Sequence, residues 1–220
     1  MGIWVLAAFL AAPPPAALET ARDRQDRAAL QRIVDESAGA AAKAPNDAEV
    51  QYRMALASSY LAEVALELRD RKLAQQAAER GIKAAELAVR LKPNDAEYYR
   101  VLGTLCGQVI PANVLAGLSY GKCAREDIDK AVTLDPKSST AYLARGVGNY
   151  YLPAALGGGV ELAMADFRKA IDLDPKNADA WLWLGLGLRK LNKDTEARQA
   201  FQKSLELNPS RLWTKQQLDK

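Results

Sequence analysis

The 220-residue sequence contains no histidine and only two cysteines, Cys106 and Cys123. Without histidine there is no Ser-His-Asp or Cys-His arrangement and no imidazole ligand for a metal. Two cysteines seventeen residues apart make a poor ligand set on their own. No catalytic residue, metal or cofactor is therefore expected. A Walker-type GxxxxGK[ST] loop is also missing. Gly157–Gly159 lacks the Lys-Ser/Thr partner and a preceding strand, so it reads as a flexible link. An excess of one charge is missing too: the net charge is +3, with basic and acidic residues interspersed, which leaves no concentrated face for nucleic acid. Alternating β-branched runs are absent, which argues against strands. The longest apolar run, Ile3–Ala12, has ten residues and gives about 15 Å of helix. A bilayer core is roughly 30 Å thick, so no stable membrane span is expected.

What is present favours packed helices. Apolar residues make up 49% of the chain and charged residues 26%, a balance that builds a core and argues against disorder. Prolines recur at Pro45, Pro93, Pro136, Pro175 and Pro209, each inside a related phrase: KAPNDAE, LKPNDAE, LDPKSST, LDPKNAD and LNPS. The last interval is 34 residues, and the earlier ones are 39, 43 and 48. Counting Ala178 as position 1, Trp181 falls at 4, Leu184 at 7, Gly185 at 8, Leu188 at 11, Ala197 at 20, Phe201 at 24 and Pro209 at 32. Large residues at this spacing fill the gap between two antiparallel helices. The small ones let the backbones approach, and the proline stops the second helix.

This pattern resembles the tetratricopeptide repeat (TPR), a 34-residue helix–turn–helix unit. The resemblance covers about residues 30–209 and implies an all-α fold, an α-solenoid of antiparallel helix pairs with right-handed superhelical twist. Four repeats are expected, at 46–93, 94–136, 137–175 and 176–209, with a small residue at position 8 of each first helix: Ala55, Gly103, Gly146 and Gly185. The first three carry 14, 9 and 5 extra residues, placed between the first helix (A) and the second (B). Residues 18–44 read as an N-terminal capping helix, a helix B without its helix A. Residues 210–220 read as a C-terminal capping helix with Ser210 as its N-cap, Leu212 and Trp213 closing the last groove. Residues 1–17 read as a signal peptide cleaved near Ala16 or Ala17, although no Lys or Arg precedes its apolar run. The chain is expected in the periplasm or secreted; the alternative is cytoplasmic. In a hairpin centred near Ala112–Asn113, Cys106 should face Ser119–Gly121, so two buried free thiols are favoured over a bridge.

In TPR arrays, helix A positions 2, 5, 6, 9, 12 and 13 point into the concave groove. The resemblance places Tyr52, Arg53, Tyr60, Glu97, Arg100, Gln108, Tyr150, Tyr151, Trp183, Arg189 and Lys190 there, with Leu143, Val147, Leu182 and Leu186 making its C-terminal half apolar. Tyr, Trp and Arg are the residues that dominate binding energy, although tyrosines also fill interhelical space. Positions 7 and 11 of the third repeat, normally apolar, are Arg145 and Asn149. A buried guanidinium needs a partner, so Arg145 either bonds the carbonyls of the Pro153–Gly159 loop, the favoured reading, or faces a ligand. Acidic neighbours such as Asp172/Asp174 and Glu126/Asp127 read as solvated surface. The stretch AYLARGVGNYYLPAALGGG is loosely similar to exported bacterial TPR proteins.

Two function classes follow. The first is a non-catalytic protein-interaction scaffold binding a peptide or helix in the concave groove, with Tyr52, Arg53, Tyr60, Arg100, Arg145, Asn149, Tyr150, Tyr151 and Trp183 as the partner-binding residues. The alternative is a small-molecule or lipid-binding accessory protein of a periplasmic transport system, its pocket closed by the inserted loops. A co-chaperone is disfavoured: positions 5 and 9 hold Tyr52/Leu56, Arg100/Thr104, Leu143/Val147 and Leu182/Leu186, which form no Lys/Asn clamp. A homo-oligomer is compatible with an exposed aromatic groove.

Overall fold

The structure is a computed structural model that describes residues 15–220, apart from 112–114 and 116. The predicted signal segment therefore lies largely outside the described residues. Every regular element among the described residues is helical: α1 (Pro15–Asp23), α2 (Arg27–Lys43), α3 (Ala48–Glu67), α4 (Arg71–Leu91), α5 (Ala96–Val109), α6 (Gly117–Leu134), α7 (Ser139–Tyr151), α8 (Val160–Leu173), α9 (Ala178–Lys190), α10 (Asp194–Leu207) and α11 (Leu212–Leu218). A 3-10 turn, Ala154–Leu156, lies between α7 and α8.

The recurrent proline phrases occupy the turns that end each helix B, and the polar residue after each turn caps the next helix A. Asp47, Asp95, Ser138 and Asn177 each accept backbone N–H groups of the first turn of α3, α5, α7 and α9. Such a cap satisfies donors that the helix itself leaves unpaired. The pairs α3/α4, α5/α6, α7/α8 and α9/α10 are the hairpins. Within two of them a phenylalanine on helix B fills the space left by a glycine on helix A. A Cβ at Gly146 would lie 2.5 Å from Phe167, and one at Gly185 would lie 2.5 Å from Phe201. Both rings are fully buried. This is the close approach that the small residue at position 8 serves.

Three expectations change here. The N-terminal cap is two helices. The turn at Gln25 (φ 53°) repeats the left-handed turns at Arg69 and Asn192 inside α3/α4 and α9/α10. Its hydrogen bonds, Gln25 N–H to Arg22 O and Asp26 N–H to Ala21 O, also match theirs. So α2 does have a helix A: α1, cut short. Second, the extra residues of the first repeat are helix. α3 runs to Glu67 and α4 begins at Arg71, because nothing from Ala48 to Arg80 is Gly or Pro. Third, α11 is preceded by Arg211, and Ser210 bonds Asn208 and Asp23 in place of capping a helix.

The cysteines are also bridged. Cys106 and Cys123 form a disulfide with Cα atoms 6.0 Å apart. The expectation of free thiols assumed a tight turn near residue 112. With α5 ending at Val109 and α6 starting at Gly117, the connection is longer, which shifts Cys123 opposite Cys106.

The apolar interior falls into two large clusters. One draws on α1–α6 and centres on Leu30, Leu61, Val64 and Leu105. The other draws on α7–α11 and centres on Phe167, Leu182 and Phe201.

Candidate functional site

Helices α1, α3, α5, α7 and α9 form the inner layer, and the residues expected in the groove separate into distinct environments. At the N-terminal end, Tyr52 stacks on Tyr98 with ring centroids 5.0 Å apart, and its hydroxyl donates to Glu97 at 3.0 Å. Arg100 closes on the same carboxylate through Nε (2.7 Å) and Nη2 (2.6 Å). Burial, then the Glu97 charge, raises the Tyr52 phenol and keeps it protonated. Gln108 donates to Ser59 O at 3.1 Å. Arg53 is exposed and, among the described residues, pairs with Glu49, one turn back, so it does not join this group.

The side chains of Arg145 and Asn149 turn to an acid on the partner helix and not to the carbonyls of the Pro153–Gly159 loop. Arg145 grips Asp166 of α8 through Nε and Nη2 (2.7 Å), and Asn149 donates to the same carboxylate at 3.0 Å. The two polar residues at apolar positions thus answer one buried acid on the partner helix. The Pro153–Gly159 loop is held by Arg125, whose Nη2 donates to Leu156 O at 2.8 Å, and by the Asn149 backbone carbonyl, which accepts from Gly159 N–H at 2.9 Å. Asp127 also departs from a solvated role, since burial and neighbouring Glu126 push its carboxyl up to about 6.

Toward the C-terminus, Tyr150, Tyr151, Trp183 and Trp213 form one aromatic cluster. Trp183 sits 5.6 Å from Tyr150, 5.9 Å from Tyr151 and 5.5 Å from Trp213, with the rings edge-on. Edge-to-face geometry is the favourable one for such pairs. Lys190 spans Tyr150, with Nζ 4.3 Å from the ring and donating to Tyr150 O at 2.8 Å. Tyr151 is 58% exposed, so one side of the cluster faces solvent. Leu182, expected to line the groove, is fully buried. Arg189 turns to α11, donating to Gln217 O at 2.7 Å.

The largest departure lies between these groups. Arg22 of α1 donates to Asp179 of α9 at 2.8 Å while its guanidinium lies 4.9 Å from the centre of the Tyr60 ring on α3. Tyr60 and Asp179 belong to the first and last full hairpins, so the inner layer closes on itself. Asp23 continues the seam, accepting from Asn208 at 2.7 Å and Ser210 at 3.4 Å. Arg211, 1% exposed, reaches from the start of α11 to Glu63 (2.6 Å) and to Glu67, both on α3. Glu63 and Glu67 sit on the extra turns of α3, so the added residues supply one half of the closure. Burial opposes the charge of Arg211, and Glu63 and Glu67 more than offset it. For Glu67, burial outweighs Arg211, with Glu63 adding to it, and pushes the carboxyl up to about 7. Burial also works against charge at Asp179, but Arg22 and Arg211 hold its carboxyl below the usual range. A polar cleft of about 370 Å³ opens beside the seam, lined by Glu19, Arg22, Tyr60, Lys176 and Asp179. Sequence reasoning missed Arg22, Asp23, Glu63, Glu67, Asp179 and Arg211. All but Asp179 lie outside the helix A positions that define a groove, and Asp179, at position 2, is indistinguishable from an exposed first-turn acid.

Comparison with known proteins fits this architecture. The family model described as regulator of microtubule dynamics protein 1-3 matches residues 16–152, more than half of the chain. The chain belongs to that family. Beyond the family match, the tetratricopeptide repeat model matches residues 157–211, and the protein is a TPR α-solenoid. The thermophilic TPR protein TTC0263 of Thermus thermophilus has the same fold at 19% identity and a TM-score of 0.65, the match covering 93% of this chain and 96% of that one. MamA from Desulfovibrio magneticus RS-1 is 19% identical, with a TM-score of 0.47 and coverage of 92% and 99%. YrrB, a TPR protein with an unusual peptide-binding site, is 18% identical, with a TM-score of 0.46 and coverage of 87% and 84%. No curated protein matches the sequence.

Proposed function

We propose that this protein is a non-catalytic interaction scaffold that holds a peptide or helix of a partner protein against the aromatic cluster of its inner layer. The observation that carries this reading is Tyr151, 58% exposed and backed by Tyr150 and Trp183 on rigid helices. Large aromatic rings that are pre-ordered by packing lose little entropy on binding, which is why they dominate interfaces. The fold supports the general role only, since TPR arrays serve as interaction modules. We further propose an oxidising setting, the periplasm or outside the cell. The Cys106–Cys123 bridge supports it, because reducing compartments keep such pairs open.

A photo-crosslinking residue at position 151, with one at exposed Lys169 of α8 as control, tests the surface. A protein crosslinked through 151 and not through 169 is the expected result. Equal products at both positions, or none at 151, would remove the aromatic cluster from consideration. The family description raises a second process, microtubule dynamics, and a tubulin assembly assay with and without the protein addresses it. A changed assembly rate would contradict the exported setting and support the cytoplasmic one.

A further inference from the structure

The halves of the molecule are joined in two different ways. On one side the chain passes from α6 to α7 through the four-residue turn 135–138, and α7 packs there against α5 and α6, where the two large apolar clusters meet along the sequence. On the other side the halves meet at the seam, whose bonds are polar: Arg22–Asp179, Asp23–Asn208, Asp23–Ser210, Gln25–Gln216 and Arg211–Glu63/Glu67. Each joins α1 or α3, or the turn after α1, to α9, α11 or the turn between α10 and α11. Neither large apolar cluster draws residues from both sides of this seam.

Apolar interdigitation and polar pairing respond differently to separation. Opening an apolar core exposes surface at about 25 cal/mol per Å² with nothing to compensate. Parting a polar seam returns each charge to water, which offsets much of the attraction lost. A body with two cores, a packed helix joint with a short connection at one edge and a polar seam at the other is therefore weakest along the seam.

We propose that the seam is a latch. Parting Arg22 from Asp179 and Arg211 from Glu63 and Glu67 lets the α1–α6 and α7–α11 halves swing about the 135–138 turn, converting the closed inner layer into an open groove. This inference rests on the scaffold reading above and regulates that same surface. Opening uncovers Tyr60, which Arg22 now covers, and widens access to Tyr151 and Trp183, so a partner segment binds the open form and is excluded by the closed one. A partner that binds only the open form shifts the population by its differential affinity for the two forms.

The test uses the full chain with spin labels on cysteines placed at Glu36 of α2 and Lys203 of α10, both exposed, with the native bridge retained. The unaltered seam should give one narrow distance distribution. Arg22→Met and Asp179→Asn, which remove the ion pair while keeping side-chain volume, should each broaden it toward longer distances, with circular dichroism unchanged. An unchanged distribution in both variants overturns the latch. Should Arg22→Met lose helicity, Asp179→Asn decides the question, and loss of helicity in both also overturns the proposal, because the seam would then be integral to folding. Crosslinking through position 151 should rise at least threefold in the opened variants. Opening without that rise overturns the regulatory role. Absence of any crosslink at 151, in closed and open forms alike, counts against the scaffold reading and not against the opening itself.

Discussion

Arg22 Nη1 donates to Asp179 Oδ2 at 2.8 Å across 157 residues of sequence, joining the shortened first helix to the last full hairpin. An open TPR superhelix of this length would leave those two positions facing solvent across a groove. Here they meet because α1 lies in the inner layer and because α3 carries extra turns that bring Glu63 and Glu67 to Arg211.

Arg211 holds the greatest electrostatic leverage. Arg211→Met removes the buried counter-charge of Glu63 and Glu67, and breaking one side of such a cluster costs about 3–5 kcal/mol. Urea unfolding at neutral pH measures it. Adding Glu67→Gln should recover a substantial part of that loss, and a double variant no more stable than Arg211→Met would show that the two residues do not act as a pair.

The raised Glu67 carboxyl makes stability depend on pH in a definite direction. Its folded value, about 7, lies above the ordinary 4.5, so the folded state holds a proton that the unfolded chain releases. That contribution is full below the ordinary value and is lost as pH rises through about 7. Glu67→Gln cannot release a proton, so its Tm should gain on the parent as pH rises from about 5 to about 8. A Tm difference independent of pH would mean that Glu67 titrates normally.

Gly185 tests the hairpin packing. Gly185→Ala places a methyl 2.5 Å from Phe201, a clash with a buried ring. Overpacking of this kind costs about 1–3 kcal/mol, while the helix gains up to about 1 kcal/mol from replacing glycine. We expect net destabilisation, relieved by Phe201→Leu in the double variant. Thermal unfolding of the three proteins gives the comparison, and a stabilised single variant would contradict the packing described.

The Cys106–Cys123 bridge closes a short loop between α5 and α6. Opening it by reduction or by Cys123→Ser should cost about 3 kcal/mol, mainly by freeing the unfolded chain. Thiol titration of the denatured, unreduced protein should find no free sulfhydryl. Two free sulfhydryls per chain would contradict the pairing.

Much of the fold could be read from residues, because it depends on local rules repeated several times. Proline phrases, capping residues and a small residue at position 8 each mark one hairpin independently of the rest. The same rules misplaced what depends on distance. Fourteen extra residues in the first repeat are visible as a count. Whether they form loop or helix turns on the lack of Gly and Pro between Ala48 and Arg80, which is legible in the sequence. The sequence marks Arg145, at a normally apolar position, as a guanidinium that needs a partner. Asp166 could not be chosen over other acids without knowing which face of α8 turns inward. Arg211 carried no local signal, since its partners lie about 144 residues away.

A linear stack of repeats communicates only between neighbours, so its terminal units fray first and independently of one another. Joining α1 and α3 to α9 and α11 removes that independence. While the seam is closed, the two chain ends become a single cooperative unit, whose amide protons should share one opening free energy, and loss of either terminal helix should loosen the other.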